Sequence, residues 1–192
     1  MLKKLADAIP DALNAVVGAT DLSKSGGARA ILDIAWRGME GRLAKQGHED
    51  SAFLRRRAEQ SFELGLKICE SPIERAILPV LICGDYGDAM DAPLRLCHAS
   101  DLLPEENIVL VPQLPFVKYR LDFALVIRAK GAIKIVAVEC DGIQYHKENH
   151  IIRDGFLASW GVKTLHFDGK QIMSNPFSIS ARVSDAVQDA LV

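Results

Sequence analysis

The chain has 192 residues, of which 49% are hydrophobic and 25% are charged, and its formal net charge at pH 7 is −2. This length and composition fit one ordinary globular domain with, at most, a helical extension. The slightly acidic balance argues against a strongly basic nucleic-acid coat protein and against large, non-specific electrostatic affinity for nucleic acid.

No apolar run approaches the roughly 20 residues that a membrane span requires, so we expect no membrane association. The first 20 residues lack the unbroken apolar segment of a signal peptide. The four cysteines, Cys69, Cys83, Cys97 and Cys140, form no CxxC pair, and we expect them to be reduced thiols in a cytoplasmic protein.

Helical periodicity dominates the N-terminal part of the chain. Apolar residues recur at helical spacing in the first 16 residues, with Pro10 as the expected break between two short helices. A second amphipathic stripe covers residues 31–43, and a third helix is predicted to begin near Ser51. We therefore expect residues 1–70 to form a helical N-terminal region.

The stretch SPIERAIL (71–78) carries the signals of a new helix. Ser71 suits the N-cap, Pro72 suits the first helical position, and Glu74 falls where a capping-box glutamate belongs. Pro79 is expected to end or kink this helix. Irregular chain, with one short helix at most, is expected over residues 84–107.

From residue 107 the pattern changes to that of strands. Residues 107–116 are β-rich, and their prolines place them near an edge or a bend of a sheet. Residues 119–129 alternate in polarity, residues 132–141 form the next strand, and Lys130-Gly131 between them fits a hairpin turn.

A helix, a strand and a closing helix complete the chain. Residues 146–160 have helical spacing with Gly161 as a C-cap, residues 162–167 form a strand, and residues 175–192 form the last helix. After the N-terminal region the predicted order is α-β-β-β-α-β-α, which indicates an α/β fold.

Three carboxylates stand out in this order. Asp122 interrupts an apolar strand, where strict alternation separates it from Leu121 and Phe123. Glu139 and Asp141 are two residues apart at a strand end and project to one face. Asp122 and Glu139 lie about eight residues before and after the hairpin turn, so the hairpin makes them near cross-strand neighbours.

Like charges placed together are unfavourable unless a cation or protons neutralise them. A divalent ion such as Mg²⁺ suits carboxylate and carbonyl ligands and can activate water for phosphodiester hydrolysis. A solvated strand end is the competing interpretation, and Arg120 could neutralise Asp122 as an ion pair. Spacing alone leaves both open.

Several short motifs follow one another between residues 71 and 173. They are an SPxE helix start, Asp-Phe after Tyr-Arg in a strand, Glu-x-Asp-Gly followed by a histidine, an Arg-Asp pair in a helix, and a V-x-x-L-x-F strand. The corresponding residues are Glu74, Tyr119, Arg120, Asp122, Glu139, Asp141, Gly142, His146, Arg153 and Asp154. This combination resembles the PD-(D/E)XK nuclease superfamily and, within it, small bacterial proteins related to very-short-patch-repair endonucleases.

The resemblance implies a restriction-endonuclease-like αβββαβ core, a mixed sheet flanked by helices, within a domain of residues 71–192. It also implies a Mg²⁺ ion, with Mn²⁺ as an alternative, held by Asp122, Glu139 and the main-chain carbonyl of Cys140. Glu74 would reach the metal or its water. As a capping-box glutamate it would serve the helix instead, and both interpretations stay open.

The chain departs from the superfamily at the lysine of E-x-K, where Asp141 stands. Asp141 is expected to support the metal or its water, and another group must assist proton transfer or bind phosphate. His146 is the candidate because its pKa lies near neutrality, with Lys147 and Gln144 as alternatives. A surface histidine at a helix start is the competing interpretation. The relatives often carry an arginine near His166, so an altered or lost activity stays open.

Four residues are candidate substrate contacts. Gln113 either shapes the site or is a polar residue at the sheet edge without a role in the site. Lys118 and Arg120 are candidate phosphate contacts, as is Lys147. The run of arginines at 55–57 forms either a solvated helix face or a DNA-binding surface.

We therefore predict a metal-dependent endonuclease that hydrolyses DNA phosphodiester bonds, in repair or in restriction and defence. The N-terminal helices would contact the DNA or mediate a homodimer. The alternative is a catalytically inactive module of nuclease-like fold that binds nucleic acid or a protein partner. A small-molecule hydrolase is less well supported, because the sequence has no glycine-rich phosphate cradle and no serine or cysteine nucleophile motif.

Overall fold

The protein is described by a computed structural model over residues 25–48, 51–87, 92–101, 106–141 and 147–192. The helices are α1 (Ser25–Lys45), α2 (Ser51–Ile68), α3 (Pro72–Ile82), α4 (Lys147–Ser159), α5 (Gly169–Ser174) and α6 (Ser180–Leu191), with a 3₁₀ turn at Pro176–Ile179. The strands are β1 (Arg95–Leu96), β2 (Ile108–Phe116), β3 (Tyr119–Ala129), β4 (Ala132–Asp141) and β5 (Val162–Asp168). The helices predicted in the first 16 residues lie outside these ranges.

The five strands form one mixed sheet in the order β1-β2-β3-β4-β5. β2, β3 and β4 are antiparallel neighbours, whereas β1 and β5 lie parallel to β2 and β4. The parallel β4–β5 connection runs through α4, as a crossover helix requires. The predicted α/β class, with a mixed sheet flanked by helices and a helical N-terminal region, is confirmed.

Two apolar clusters cover the two faces of the sheet. The larger cluster packs one face against α1, α2, α3, α5 and α6, and it includes Phe62, Ile77, Phe123 and Phe167. The smaller cluster packs the other face against α4 through Leu157. Side chains of α1 and α2 thus share the larger core with the sheet, while the predicted division at residue 70 stays a prediction.

The β3–β4 hairpin turns where the sequence predicts it. Lys130 and Gly131 have φ of 51° and 78°, between the paired residues Ala129 and Ala132. Two positive φ values in a two-residue loop are the signature of a type I′ turn, whose twist matches that of the flanking strands.

The short elements and the helix around Pro79 differ from expectation. Of the two alternatives expected at Pro79, an end or a kink of the helix, the end is excluded, because α3 continues to Ile82 and Cys83 donates its N–H to the Pro79 carbonyl. The two-residue strand β1 and the short helix α5 were not predicted. Among the described helices, none has both the length and the apolarity to cross a membrane.

Candidate functional site

The β3–β4 ladder positions the two central carboxylates. Its last pair is Phe123 with Val138, and the next residues outward are Asp122 and Glu139. The register thus places the two residues side by side on neighbouring strands, and the charge of Asp122 contributes to the raised pKa of Glu139.

The alternation of side chains between the two faces of β3 is interrupted at Asp122. Leu121 packs in the smaller cluster and Phe123 in the larger one, so the strict alternation predicted for this strand is wrong here. The β2–β3 ladder also passes over Gln113 and Asp122, and Gln113 has a φ of 52°. An interruption of this kind re-aims side chains and is frequent beside functional sites.

Asp122 is held by the neighbouring strand. The main-chain N–H of Cys140 donates to Asp122 Oδ2 at 2.8 Å. Burial raises the pKa of Asp122, the charge of Glu74 raises it further, and the hydrogen bond from Cys140 and the charge of Arg153 act in the opposite direction. The net shift is upward, as expected for a carboxylate among other carboxylates.

Glu139 is almost fully buried, with 3% of its surface exposed. Arg153 of α4 donates from Nη2 to Glu139 Oε2 at 2.6 Å. Glu139 Oε1 is buried and has no hydrogen-bond partner among the described residues. Burial, followed by the charge of Asp122, raises the pKa of Glu139 to about 7 despite the arginine.

Glu74 lies at the start of α3 and is 5% exposed. The hydroxyl of Ser71 caps the helix by accepting from the Glu74 N–H, as predicted. Glu74 Oε2 in turn accepts from the N–H of Glu70, one residue before the cap, and from Gln113 Nε2, both at 2.9 Å. The glutamate therefore does cap the chain, and it also ties α3 to β2. Gln113 is part of this arrangement rather than a free edge residue.

Asp141 faces β5 and α4. His166 bonds Asp141 Oδ2 through Nδ1 at 3.1 Å and Asp154 Oδ2 through Nε2 at 3.0 Å. Burial lowers the pKa of His166, but the hydrogen bonds and charges of Asp154 and Asp141 outweigh it, so the net pKa is raised. The raised pKa favours the protonated ring, which can donate from both nitrogens, and the two contacts link β4, β5 and α4 through His166.

The ion pairs of Arg153 and His166 were not predicted. The sequence did place Arg153 and Asp154 in an Arg-Asp motif and His166 in the strand after it. The partners of His166 follow from the parallel pairing of β5 with β4, which sets His166 beside Glu139. The sequence does not show which edge of the sheet β5 joins, so this pairing could not be predicted.

The predicted basic contacts have separate positions. Arg120 does not pair with Asp122, because both of its terminal nitrogens bond Glu70, at 2.9 and 2.7 Å. Lys118 is exposed in the β2–β3 turn. Lys147 begins α4, and its side chain lies outside the described part of the structure, as do His146 and Gln144.

The arginines at 55–57 serve mainly within the protein. Arg55 pairs with Asp33 and Glu59, and Arg57 pairs with Glu106. These contacts favour the interpretation as a helix face over that as a DNA-binding surface.

The described residues contain no group of three or more His, Cys, Asp or Glu side chains arranged to hold a metal ion. A Mg²⁺ ion needs fewer, because it is commonly held by one or two carboxylates and keeps several waters. Arg153 bonds only one oxygen of Glu139 and leaves the buried Oε1 without a partner among the described residues, and the pKa of Asp122 is raised by burial and in part by the neighbouring carboxylates of Glu74 and Asp141. The residues therefore fit a hydrated divalent cation.

Comparison of the chain with protein-family models, curated proteins and solved structures gives no significant match.

Proposed function

We propose that the protein is a metal-dependent endonuclease that hydrolyses DNA phosphodiester bonds on a restriction-endonuclease-like core. The observation that carries this proposal is a pair of carboxylates at adjacent strand ends, the partly buried Asp122 and the buried Glu139, of which Glu139 has a buried oxygen with no partner among the described residues. Carboxylates whose pKa values are raised by burial and by neighbouring charges cluster at functional sites.

Asp122, Glu139 and the carbonyl of Cys140 would hold Mg²⁺ or Mn²⁺. When bound, the cation supplies Lewis-acid activation of a water and of a phosphoryl oxygen. Asp122 is oriented for this role by the Cys140 N–H. Glu74 and Gln113 bond one another next to it and fix the wall of the site formed by α3 and β2.

The test is cleavage of supercoiled plasmid and of labelled oligonucleotides by wild type, Asp122→Asn and Glu139→Gln in Mg²⁺ or Mn²⁺. These isosteric changes remove one charge each, and we expect a loss of cleavage of about 100-fold or more, since both groups would bind the metal directly. Glu63→Gln, an exposed change on α2, is the matched control and should cut like wild type. Equal cutting by all four proteins would show a contaminant and refute the proposal.

A catalytically inactive binding module is the second candidate, and specific contacts favour it. Arg153 already balances Glu139, and His166 already balances Asp141. Metal binding decides between the two: a ligand of the folded state raises the melting temperature. For the nuclease we expect Mn²⁺ to raise the melting temperature of wild type and not of Glu139→Gln. For the inactive module, neither protein should respond.

A further inference from the structure

Four aromatic residues, Phe116, Tyr119, Phe156 and Trp160, form a cluster where α4 meets the β2–β3 turn, and we name it the aromatic platform. Ring centroids are 6.4 Å apart for Phe116 and Trp160, 6.3 Å for Phe156 and Trp160, and 5.5 Å for Tyr119 and Phe156. Trp160 is 60% exposed. Most of a large apolar ring is thus presented to solvent, which folding alone does not favour.

Two cations accompany these rings. Lys118 Nζ lies 5.2 Å from the Tyr119 centroid and 5.1 Å from that of Phe156, and the Arg153 guanidinium lies 5.6 Å from Tyr119. Lys118 is exposed, so its charge is accessible to a ligand. Rings that can stack with bases, next to cations that can neutralise phosphates, are the combination that holds single-stranded nucleic acid.

The platform adjoins the carboxylate site. Arg153 contacts Glu139 at one end and the ring of Tyr119 at the other. Arg153, Phe156 and Trp160 follow one another at helical spacing, so they share one side of α4 and its C-terminal end. Seven residues of helix span about 10 Å, which one short oligonucleotide can cover.

Two other ligands, a base-paired duplex and a second copy of the chain, fit the aromatic platform less well than a single strand does. A base-paired duplex hides its base faces in its own stack, so it offers edges and phosphates to the platform but no rings. A second copy of the chain in a two-fold dimer would bring two platforms together, each carrying the exposed Lys118, and like charges would then oppose one another.

We propose that the aromatic platform binds single-stranded DNA by stacking unpaired bases against Trp160 and Phe116, while Lys118 neutralises the backbone. The identity of the nucleic acid rests on the proposed function, and the inference specifies the form of substrate that reaches the carboxylates. An unpaired strand would pass Arg153 on its way from Trp160 to Glu139.

The test measures the anisotropy of a labelled oligothymidylate of about 20 nucleotides, longer than a usual single-strand site. Full-length protein is titrated in EDTA, with a duplex of equal length in parallel. We expect Trp160→Leu to weaken single-strand binding about tenfold, as loss of one base–ring stack does, and to leave duplex binding nearly unchanged. Trp160→Phe keeps a ring and should retain most of the affinity. Phe53→Leu, which alters another aromatic residue that is 63% exposed, should bind like wild type.

Three outcomes would contradict the proposal that the aromatic platform binds single-stranded DNA. The first is unchanged single-strand binding by Trp160→Leu. The second is an equal loss of single-strand and duplex binding. The third is a wild-type dimer that Trp160→Leu converts to a monomer in sedimentation experiments, which would make the platform a subunit contact.

Binding in EDTA does not depend on hydrolysis, so the two proposals can fail separately. If wild type cuts no DNA and Trp160→Leu still weakens single-strand binding, then binding at the platform is supported and the proposed hydrolysis is contradicted. If wild type cuts DNA and Trp160→Leu binds and cuts like wild type, then binding at the platform is contradicted and the proposed hydrolysis is supported.

Discussion

Glu139 illustrates, at the scale of one residue, how a buried charge is kept in this fold. Its carboxylate is covered by the sheet and by α4, and the guanidinium of Arg153 lies 2.6 Å from one oxygen. Taking both groups from water costs several kcal/mol each, so the pair contributes little net stability. Removing one partner is different, because the other is then left buried without compensation.

We therefore predict that Arg153→Gln lowers the free energy of unfolding by about 3 kcal/mol at pH 8, where Glu139 would be an uncompensated anion. At pH 5 the loss should be smaller, because Glu139 can then take up a proton instead of keeping its charge. Urea denaturation at the two pH values measures both numbers.

Arg56→Gln is the control for this substitution. Arg56 is exposed on α2, and the same change there should stay within about 0.5 kcal/mol of wild type at either pH. An Arg153→Gln protein as stable as Arg56→Gln at pH 8 would mean that the ion pair does not compensate Glu139.

At the scale of elements, the β3–β4 hairpin brings Asp122 and Glu139 together, and its turn sets the register. We predict that Gly131→Ala, at a φ of 78°, lowers the free energy of unfolding by about 1 kcal/mol, because a side chain there crowds the following carbonyl. Lys130→Asn should raise it, since asparagine tolerates the left-handed region better than lysine. Chemical denaturation measures both changes.

Gly155→Ala provides the matched control with the opposite sign. Gly155 lies in α4, and a Cβ built there meets no atom within 4 Å. Alanine should stabilise the helix by up to about 1 kcal/mol. If both glycine replacements stabilised the protein, the strain ascribed to the turn would be absent.

Elements with their own periodicity could be predicted from the sequence. The predicted strands 119–129 and 132–141 coincide with β3 and β4. β1 could not be predicted, since two residues have no periodicity and form a strand only by pairing with Val109 and Leu110 of β2. Three-dimensional packing, rather than local pattern, decides such a segment.

In the candidate site, too, local contacts could be predicted from the sequence and contacts that depend on three-dimensional packing could not. Asp122 and Glu139 could be paired because a hairpin is a local structure with one turn to locate. Arg153 and His166 could not be assigned their partners, since their bonds depend on how α4 and β5 pack onto β4. The metal, the DNA and the restriction-endonuclease-like core stay predictions.

At the scale of the whole molecule, the raised pKa values of the site make stability depend on pH. A group whose pKa rises on folding binds more protons in the folded chain than in the unfolded chain, so stability falls as pH rises between the two values. For Glu139 this interval runs from 4.5 to about 7. For His166 it begins at 6.5 and extends upward, and the raised pKa of Asp122 acts with the same sign above 3.8.

We therefore predict that the melting temperature falls from pH 5 to pH 8, with Glu139 lowering the free energy of unfolding by at most about 1.4 kcal/mol per pH unit. Glu139→Gln has no proton to lose, so its slope between pH 4.5 and 7 should be shallower, whereas Glu63→Gln should follow wild type. Scanning calorimetry across this range gives the slopes, and comparing slopes separates the proton effect from any overall loss of stability.

Saturating Mg²⁺ should flatten the wild-type profile above pH 7, because a cation that binds the deprotonated site stabilises the form that folding otherwise disfavours. A profile that Mg²⁺ leaves unchanged, with the slope difference still present, would assign Glu139 to the ion pair with Arg153 and leave it no role in binding a metal.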